Sequence, residues 1–307
     1  MMKRIVVGSR GSKLALIQTE SVLAKIREVS PGTEVVISRI VTEGDRNRRG
    51  QLHSMVGVGV FIKELEEALL DGRIDLAVHS LKDMPAQIPL GLCLMAVTER
   101  FDPRDVLISR GQRLDELGPG SKIGTGSLRR AVQLGACRPD LEVHSIRGNV
   151  DTRLRKVASG EFAGVILAAA AMKRLGWEDR ISEYLPLEYF LPAAGQGTLA
   201  LETRLGDQDI AKIVAPLNHL PTWQGVTAER TFLSALGGGC QAPIAVLGTV
   251  NGTALKLDGM VADVSGEKIV HASVEGGAAS PEELGEHLAQ KMLDTGVAEF
   301  INGVKGQ

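Results

Sequence analysis

The spacing of apolar and polar positions in the first third of the chain predicts alternating strands and helices. Apolar runs with the length of buried strands lie at residues 4–8, 34–42, 74–80 and 92–97. Apolar side chains recur with helical spacing between the first two runs and again over residues 61–70. Residues 43–60 show neither period, and a loop of this length in a compact domain is either a mobile lid or a disordered segment.

The same order of elements returns in the middle of the chain. Further strands are predicted at residues 123–125, 141–146 and 164–168, with helices beginning at Ser127 and after Asn149. Crossings are predicted at residues 99–105 and 191–196, and a strand at residues 198–203 returns to the first lobe. This order predicts two similar α/β lobes of the periplasmic-binding-protein kind, with a central cleft where strand carboxyl ends and helix amino ends point.

The last third of the chain predicts a smaller α+β domain. Apolar and polar residues alternate over residues 244–274 around a turn at Asn251 and Gly252, which indicates antiparallel strands. Helices are predicted at residues 209–218, 225–236 and 282–300. The resulting domains are residues 1–98 with 197–218, the arginine-rich lobe 103–192, and the C-terminal domain 221–307.

Composition fits a soluble globular chain. The 307 residues are 44% hydrophobic and 23% charged, enough for two or three domains with their own cores. Cys93, Cys137 and Cys240 show no CxxC spacing, the start does not read as a signal peptide, and no apolar segment approaches the roughly 20 residues of a spanning helix. We therefore expect a cytoplasmic protein without a membrane anchor. Because the sequence shows no sign of an oligomer, we expect a monomer.

Positive charge is concentrated in the middle of the chain. Residues 122–174 contain ten basic and four acidic side chains, a surplus of six positive charges, whereas the whole chain has a net charge of -2. Most of these cations are arginines, whose planar guanidinium groups suit bidentate binding of carboxylate or phosphate. Nucleic acid is the weaker candidate ligand, because only 3% of residues are aromatic and none alternates with these arginines.

Two strand-to-helix turns are candidate anion sites. Residues 125–130 place Thr125 and Ser127 at a helix start beside Arg129 and Arg130, which can serve both as an N-cap and as an anion site. Residues 9–12 form a shorter counterpart, in which a polar turn is the plainer interpretation.

Asp83 and Cys240 are the candidate chemical groups, and each has a purely structural interpretation. Asp83 is either a turn residue or a carboxylate at a strand end that can stabilise a developing cation. Cys240 follows three glycines, so its thiol is either accessible for chemistry or incidental to a helix capped by Gly237. The six histidines show no metal-ligand spacing, and no metal site is predicted.

The motifs together closely resemble the porphobilinogen deaminase family. They are HSLKDMP at residues 79–85, GTGSLRR at 124–130, RGNV at 147–150 and GGGCQAP at 237–243, supported by PAAGQG at 192–197 and TAER at 227–230. The resemblance implies a three-domain transferase of haem biosynthesis. Such an enzyme joins four porphobilinogen molecules head to tail, releases ammonia at each step, and frees the linear tetrapyrrole hydroxymethylbilane by hydrolysis.

The resemblance also implies a cofactor and site residues. A dipyrromethane cofactor, made from substrate, would be attached through a thioether to Cys240, and Asp83 would stabilise the azafulvene cation formed as ammonia leaves. Residues implied to hold cofactor and substrate carboxylates are Arg10, Ser12, Ser80, Lys82, Thr125, Ser127, Arg129, Arg130, Arg147, Arg153 and Arg174. The sequence departs from the family at Val58, where many members have Lys, and at Gly126, where Ser is frequent.

Two other functions fit parts of the sequence. A two-lobed anion-binding or effector-sensing protein would use the lobes and the arginines but leave the third domain and Cys240 without a role. A cysteine-nucleophile hydrolase would use Cys240, although no histidine lies near it in the sequence.

Overall fold

The computed structural model describes residues 3–40, 62–237 and 243–302. These residues form two compact units, one from the described parts of Met1–Arg100 and Thr198–Trp223, the other from those of Phe101–Gly197 and Gln224–Gln307. The loop predicted at residues 43–60, with Val58, and the predicted cofactor cysteine Cys240 lie outside the described residues.

Strands and helices alternate over most of the described chain. In chain order the elements are β1 Lys3–Arg10, α1 Lys13–Val29, β2 Thr33–Ile40, α2 Lys63–Leu70, β3 Leu76–Ser80, β4 Leu92–Val97, β5 Asp105–Ser109, β6 Lys122–Gly124, α3 Leu128–Cys137, β7 Glu142–His144, α4 Val150–Ala158, β8 Gly164–Ala168, α5 Ala169–Leu175, β9 Glu183–Tyr184, β10 Leu199–Arg204, α6 Gln208–Val214, α7 Leu220–Ala235, β11 Ile244–Asn251, β12 Ala254–Ala262, β13 Ile269–Gly277, α8 Pro281–Leu293 and α9 Ala298–Asn302.

The first unit is built on a five-stranded sheet in the order β2-β1-β3-β10-β4. β1 runs parallel to β2 and β3, and β10 runs antiparallel to β3 and β4. Buried side chains of α1 and α6 share one apolar cluster with the sheet, and those of α2 share another. Because β10 lies between β3 and β4, the predicted return of the chain to the first lobe is confirmed.

The second unit contains a sheet with the same pattern, in the order β7-β6-β8-β5-β9. β6 is parallel to β7 and β8, and β5 is antiparallel to β8 and β9. The matching patterns confirm the prediction of two similar α/β lobes. The crossing predicted over residues 99–105 leads into an apolar strand, β5, which the sequence pattern did not predict.

The C-terminal sheet of the second unit is an antiparallel meander, β11-β12-β13, as the alternating pattern predicted. Several helix boundaries differ from the prediction. α6 ends at Val214 and a 3-10 turn, Ala215–Leu217, follows it, where the sequence predicted one helix over residues 209–218. α7 begins at Leu220 rather than residue 225, because proline is tolerated in the first turn of a helix and Pro221 lies there. The predicted helix 282–300 is divided into α8 and α9 at Gly296, whose φ is +87°.

An apolar cluster joins this meander to the rest of the second unit. It contains Val132 of α3 and Leu191, packed with Ala245, Leu247 and Met260 of the meander. A backbone hydrogen bond of 3.0 Å from the Val246 amide to the Pro192 carbonyl crosses the same contact. The predicted division into three domains stays a prediction.

Candidate active site

The segment that carries Asp83 is fixed by its apolar residues. β3 ends at Ser80 and continues into a 3-10 turn, Leu81–Asp83. Leu81 is buried and its amide donates to the Thr198 carbonyl at 3.0 Å. With Leu81 anchored, Lys82 is partly buried and Asp83 is exposed.

Two serines of the first unit are held by α1. Ser12 is the N-cap of this helix and its Oγ accepts a hydrogen bond from the Ala15 amide at 3.2 Å. Ser80 Oγ accepts from Nε2 of Gln18 at 2.9 Å. Arg10, at the end of β1, is partly buried. The helix that follows this polar turn is therefore capped by Ser12.

In the second unit, Ser127 is the N-cap of α3, which confirms the capping interpretation of residues 125–130. Its Oγ accepts from the Arg130 amide at 3.4 Å, and the buried Thr125 Oγ1 accepts from the Ser127 amide at 3.2 Å. Both hydroxyl groups therefore organise the turn that begins the helix of Arg129 and Arg130.

Arg129 and Arg130 both bind Asp105, the first residue of β5. The Asp105 Oδ2 accepts from Nη1 of Arg129 at 2.8 Å, and Oδ1 accepts from Nη2 of Arg130 at 2.6 Å. All three residues are buried. Two predicted ligand-binding arginines are thus engaged inside the unit by a carboxylate.

Arg147 and Arg153 lie before and within α4. Arg147 is exposed, and Asn149 caps the helix by accepting from the Thr152 amide at 3.0 Å. Arg153 Nε donates to the Gly148 carbonyl at 2.9 Å. Burial and the nearby Arg130 cation lower the pKa of Arg153.

Gly126 lies close to both the backbone and Arg153. A Cβ added at Gly126 would stand 3.1 Å from the Ile146 carbonyl oxygen and 4.0 Å from Nη2 of Arg153. The glycine therefore leaves room beside this guanidinium, where a larger residue would need the neighbouring backbone to shift slightly.

Arg174, at the end of α5, is a partly buried cation held by uncharged groups. Its Nη2 donates to the Gly197 carbonyl at 2.8 Å, and its guanidinium lies 4.9 Å from the Phe101 ring centroid. Lys173 Nζ lies 4.7 Å from the same centroid. Burial lowers the pKa of Arg174 to about 10.

The described residues fit an acidic ligand. None of them supplies a carboxylate in an ion pair with Arg153 or Arg174, although both guanidinium groups are partly removed from water. A desolvated cation is costly unless an anion compensates it. Carboxylate groups of a bound ligand would supply that compensation.

Metal binding finds no support in the described parts of the chain, which contain no group of three or more His, Cys, Asp or Glu suited to hold an ion. Of the helices described, none has both the length and the apolar character needed to cross a membrane.

The motifs alone reveal no role for Asp105, Gln196 and Phe101, which lie near these arginines. Gln196 lies within a recognised motif, and its Nε2 donates to Asp105 at 2.8 Å. One signal for Asp105 is present in the sequence, an acidic residue directly before the apolar run Val106–Ile108. A charge at the head of a buried strand needs a partner inside the fold.

The paired α/β lobes, the capped helix starts and the desolvated arginines are features of an α/β protein suited to bind an anion. The family model described as "Porphobilinogen deaminase, dipyromethane cofactor binding domain" matches residues 5–212, and "Porphobilinogen deaminase, C-terminal domain" matches residues 223–294. The chain belongs to the porphobilinogen deaminase family.

Relatives named porphobilinogen deaminase align over nearly the whole chain. The protein of Pelobacter propionicus is 46% identical, covering 98% of this chain and 97% of its own length. That of Geobacter sulfurreducens is 47% identical over 98% and 94%, and that of Bacillus subtilis is 46% identical over 99% and 98%. Among solved structures, a methionine binding protein overlaps 72% of this chain and 90% of its own with a TM-score of 0.45 and 13% identity.

Proposed function

We propose that this chain joins four porphobilinogen molecules head to tail into hydroxymethylbilane, with Asp83 as the catalytic carboxylate and Cys240 as the attachment point of the cofactor. Membership of the family makes it a hydroxymethylbilane synthase, a transferase of tetrapyrrole biosynthesis with a dipyrromethane cofactor. When bound, that cofactor supplies the pyrrole carbon to which the first substrate unit is added.

The observation that best supports this function is the pair of desolvated arginines, Arg153 and Arg174, that have no carboxylate partner among the described residues. Porphobilinogen and its products carry acetate and propionate groups, so each added unit brings further carboxylates. Arg153 and Arg174 supply guanidinium groups matched to carboxylate geometry, with Arg10, Arg129, Arg130 and Arg147 as further binding residues. Ser12, Ser80, Lys82, Thr125 and Ser127 complete the proposed binding set.

Asp83 suits the step in which ammonia leaves the substrate. Positive charge then develops on the pyrrole ring. The pyrrole N–H group is a hydrogen-bond donor and needs an acceptor, which arginine does not have. A fixed carboxylate accepts this hydrogen bond and stabilises the cation as it forms. The exposure of Asp83 and the buried anchor Leu81 beside it support this role, because they present the carboxylate on a fixed turn.

Replacing Asp83 by Glu tests the proposal. The longer side chain keeps the charge but displaces the carboxylate, and a displacement of about 1 Å at a reacting centre can cost about 100-fold in rate. We expect Asp83→Glu to keep the melting temperature and the covalent adduct while kcat for ammonia release from porphobilinogen falls about 100-fold.

Asp71→Glu is the matched control, since Asp71 is exposed and pairs with Arg73 at the surface. It should retain wild-type turnover. Near-normal turnover by Asp83→Glu would refute the catalytic assignment. The effector-binding alternative predicts porphobilinogen binding without ammonia or hydroxymethylbilane, so a product assay separates the two functions.

We also propose that the protein acts as a cytoplasmic monomer that binds neither nucleic acid nor membrane. Three cysteines without paired spacing favour a reducing compartment. Light scattering of the purified protein would contradict the monomer if it gave a mass well above 32.7 kDa.

A further inference from the structure

A buried carboxylate lies between two arginines at the start of β5. Asp105 is 0% exposed, and Arg129 and Arg130 are 5% and 6% exposed. Its two oxygens accept from Nη1 of Arg129 at 2.8 Å and from Nε and Nη2 of Arg130 at 3.0 and 2.6 Å. Charge-assisted hydrogen bonds of this length, shielded from water, fix the orientation of both guanidinium planes.

Further hydrogen bonds hold the same groups in place. Arg129 also donates to the Leu191 carbonyl, and Arg130 donates to the Ile166 carbonyl at 3.2 Å. Gln196 Nε2 donates to Oδ1 of the shared carboxylate at 2.8 Å. The carboxylate is therefore oriented by an amide that carries no charge, and the two guanidinium groups are oriented by the carboxylate.

The charges of this cluster do not balance. Asp105 is the only acidic partner that Arg129 and Arg130 have among the described residues, which leaves one positive charge in excess. Burial alone would raise the pKa of Asp105, but the two arginines hold it well below its usual range, so the carboxylate is ionised at neutral pH. Burial lowers the pKa of Arg129, with Asp105 opposing the change and Arg130 adding to it.

A buried cation without a compensating anion destabilises the fold. A single arginine would neutralise Asp105, and the second one adds a desolvation cost that no further carboxylate among the described residues offsets. A ligand carboxylate bound to the pair would balance the charge, and guanidinium groups with a preset orientation lose less entropy when they bind it.

We propose that Asp105 is a positioning residue, which holds Arg129 and Arg130 so that their excess charge meets a carboxylate of the bound dipyrromethane. Asp105 acts through the arginines and does not touch the ligand, because its side chain is fully enclosed. Since this role rests on the proposed function, a wild-type protein without any adduct would contradict that function, whereas an adduct unaffected by changes at Asp105 contradicts only the positioning role.

Asp105→Asn is the direct test. Asparagine keeps the shape of the side chain but removes the charge and turns one acceptor into a donor that faces a guanidinium group. We expect the rate at which apo-protein gains the dipyrrole adduct from porphobilinogen, followed by intact mass, to fall about 10-fold or more. Asp105→Glu, which retains the charge, should recover part of this loss.

Asp102→Asn is the matched control in the same segment. It removes a partly exposed carboxylate that pairs with Arg104 at 2.6 Å, outside the arginine pair, and should gain the adduct at the wild-type rate. If Asp105→Asn does not fold, Gln196→Met replaces it, because this change removes the amide donor to Asp105 and leaves all three charges. Gln196→Met should slow adduct formation and raise KM more than it lowers kcat.

Two results would overturn the positioning role. One is wild-type adduct formation and wild-type KM in whichever of these variants folds, even if its melting temperature is lower, since that outcome describes a structural ion pair. The other is an equal loss in Asp105→Asn and Asp102→Asn, which would assign the effect to the whole segment rather than to the arginine pair.

Discussion

Among the arginines that the structure describes, some bind a carboxylate and others donate to backbone carbonyl groups instead. Arg204 binds Asp75 and Asp207 at 2.9 and 3.0 Å, and Arg138 binds Asp140 at 2.6 Å. Arg153 and Arg174, by contrast, donate to backbone carbonyl groups. The second group is the one that a ligand with carboxylates can complete.

Arg174→Met separates ligand binding from stability. Methionine keeps an unbranched side chain beside Phe101 but removes a desolvated cation, so the melting temperature should stay the same or rise. The KM for porphobilinogen should rise about 10-fold or more, because the proposed charged hydrogen bond to a substrate carboxylate would be lost. Thermal unfolding and steady-state kinetics measure the two effects.

Arg138→Met is the control for this prediction. It breaks the pair with Asp140 and the 2.7 Å hydrogen bond to the Leu117 carbonyl, so it should lower the melting temperature and leave KM unchanged. A lower melting temperature in Arg174→Met together with an unchanged KM would show that Arg174 is a structural residue.

Glu66 gives the first unit a predictable pH dependence. Burial raises its pKa, the neighbouring Glu202 raises it further, and His79, which binds Glu202 at 2.9 Å, lowers it. Because its pKa is raised in the folded protein, this carboxyl group contributes to stability at pH values below its ordinary pKa of 4.5. The contribution is lost as the pH rises through the raised pKa of the folded state.

Glu66→Gln should therefore raise the melting temperature at pH 8, where the wild-type carboxylate is ionised, and the gain should shrink towards pH 4.5. Glu67→Gln, at an exposed position of the same helix, should show no such trend. A difference from wild type that is the same at both pH values would contradict the raised pKa.

Residues with motifs and residues inside the fold differ in how well the sequence predicts them. Ser127 could be predicted as a helix cap, because capping depends on local geometry. The partners of Asp105 could not be predicted, because they lie on α3, which begins more than 20 residues later in the chain. The roles of Asp83 and Cys240 were implied by motifs and stay predictions.

At the scale of elements, α7 and α8 pack with their backbones in close approach. A Cβ added at Gly285 would lie 2.5 Å from the Ala228 carbonyl oxygen and 3.1 Å from the Phe232 amide nitrogen. Such contacts are with backbone atoms, which cannot move without displacing a helix. Glycine is therefore required here by packing and not by its φ angle.

Gly285→Ala should lower the free energy of unfolding by about 2 kcal/mol, a typical cost of overpacking. Gly135→Ala is the matched control in another helix, where the added Cβ would meet nothing within 4 Å. It should raise the free energy of unfolding by about 0.5–1 kcal/mol, since alanine is the better helix former. Urea unfolding measures both, and a stabilising Gly285→Ala would contradict the close packing.

Most elements could be predicted from their long apolar runs. Elements that are very short, or that begin with charged residues, could not be predicted in this way. β8 and β10 follow from their buried side chains. β5 was missed because Pro103, Arg104 and Asp105 precede its apolar part, and β9 because two residues carry no period. Strand order depends on pairings between distant segments and is only constrained by the sequence through the repeated pattern.

At the scale of the whole molecule, the lobes and the C-terminal region match models of one and the same enzyme family. The two α/β lobes share one strand pattern, and the C-terminal meander packs within the second unit. Family models cover both the lobes and the C-terminal region. The effector-binding alternative has no comparable support for the C-terminal part.

The most direct test of the central claim is the intact mass of the protein, measured under denaturing conditions on a preparation that has been shown to be active. The wild-type chain should be heavier than its sequence mass by one covalently bound dipyrrole, and Cys93→Ser and Cys137→Ser should keep this adduct. Cys240→Ser should have the mass of its sequence alone and no polymerising activity. An active wild-type protein without the adduct, or an adduct that persists in Cys240→Ser, would contradict the account.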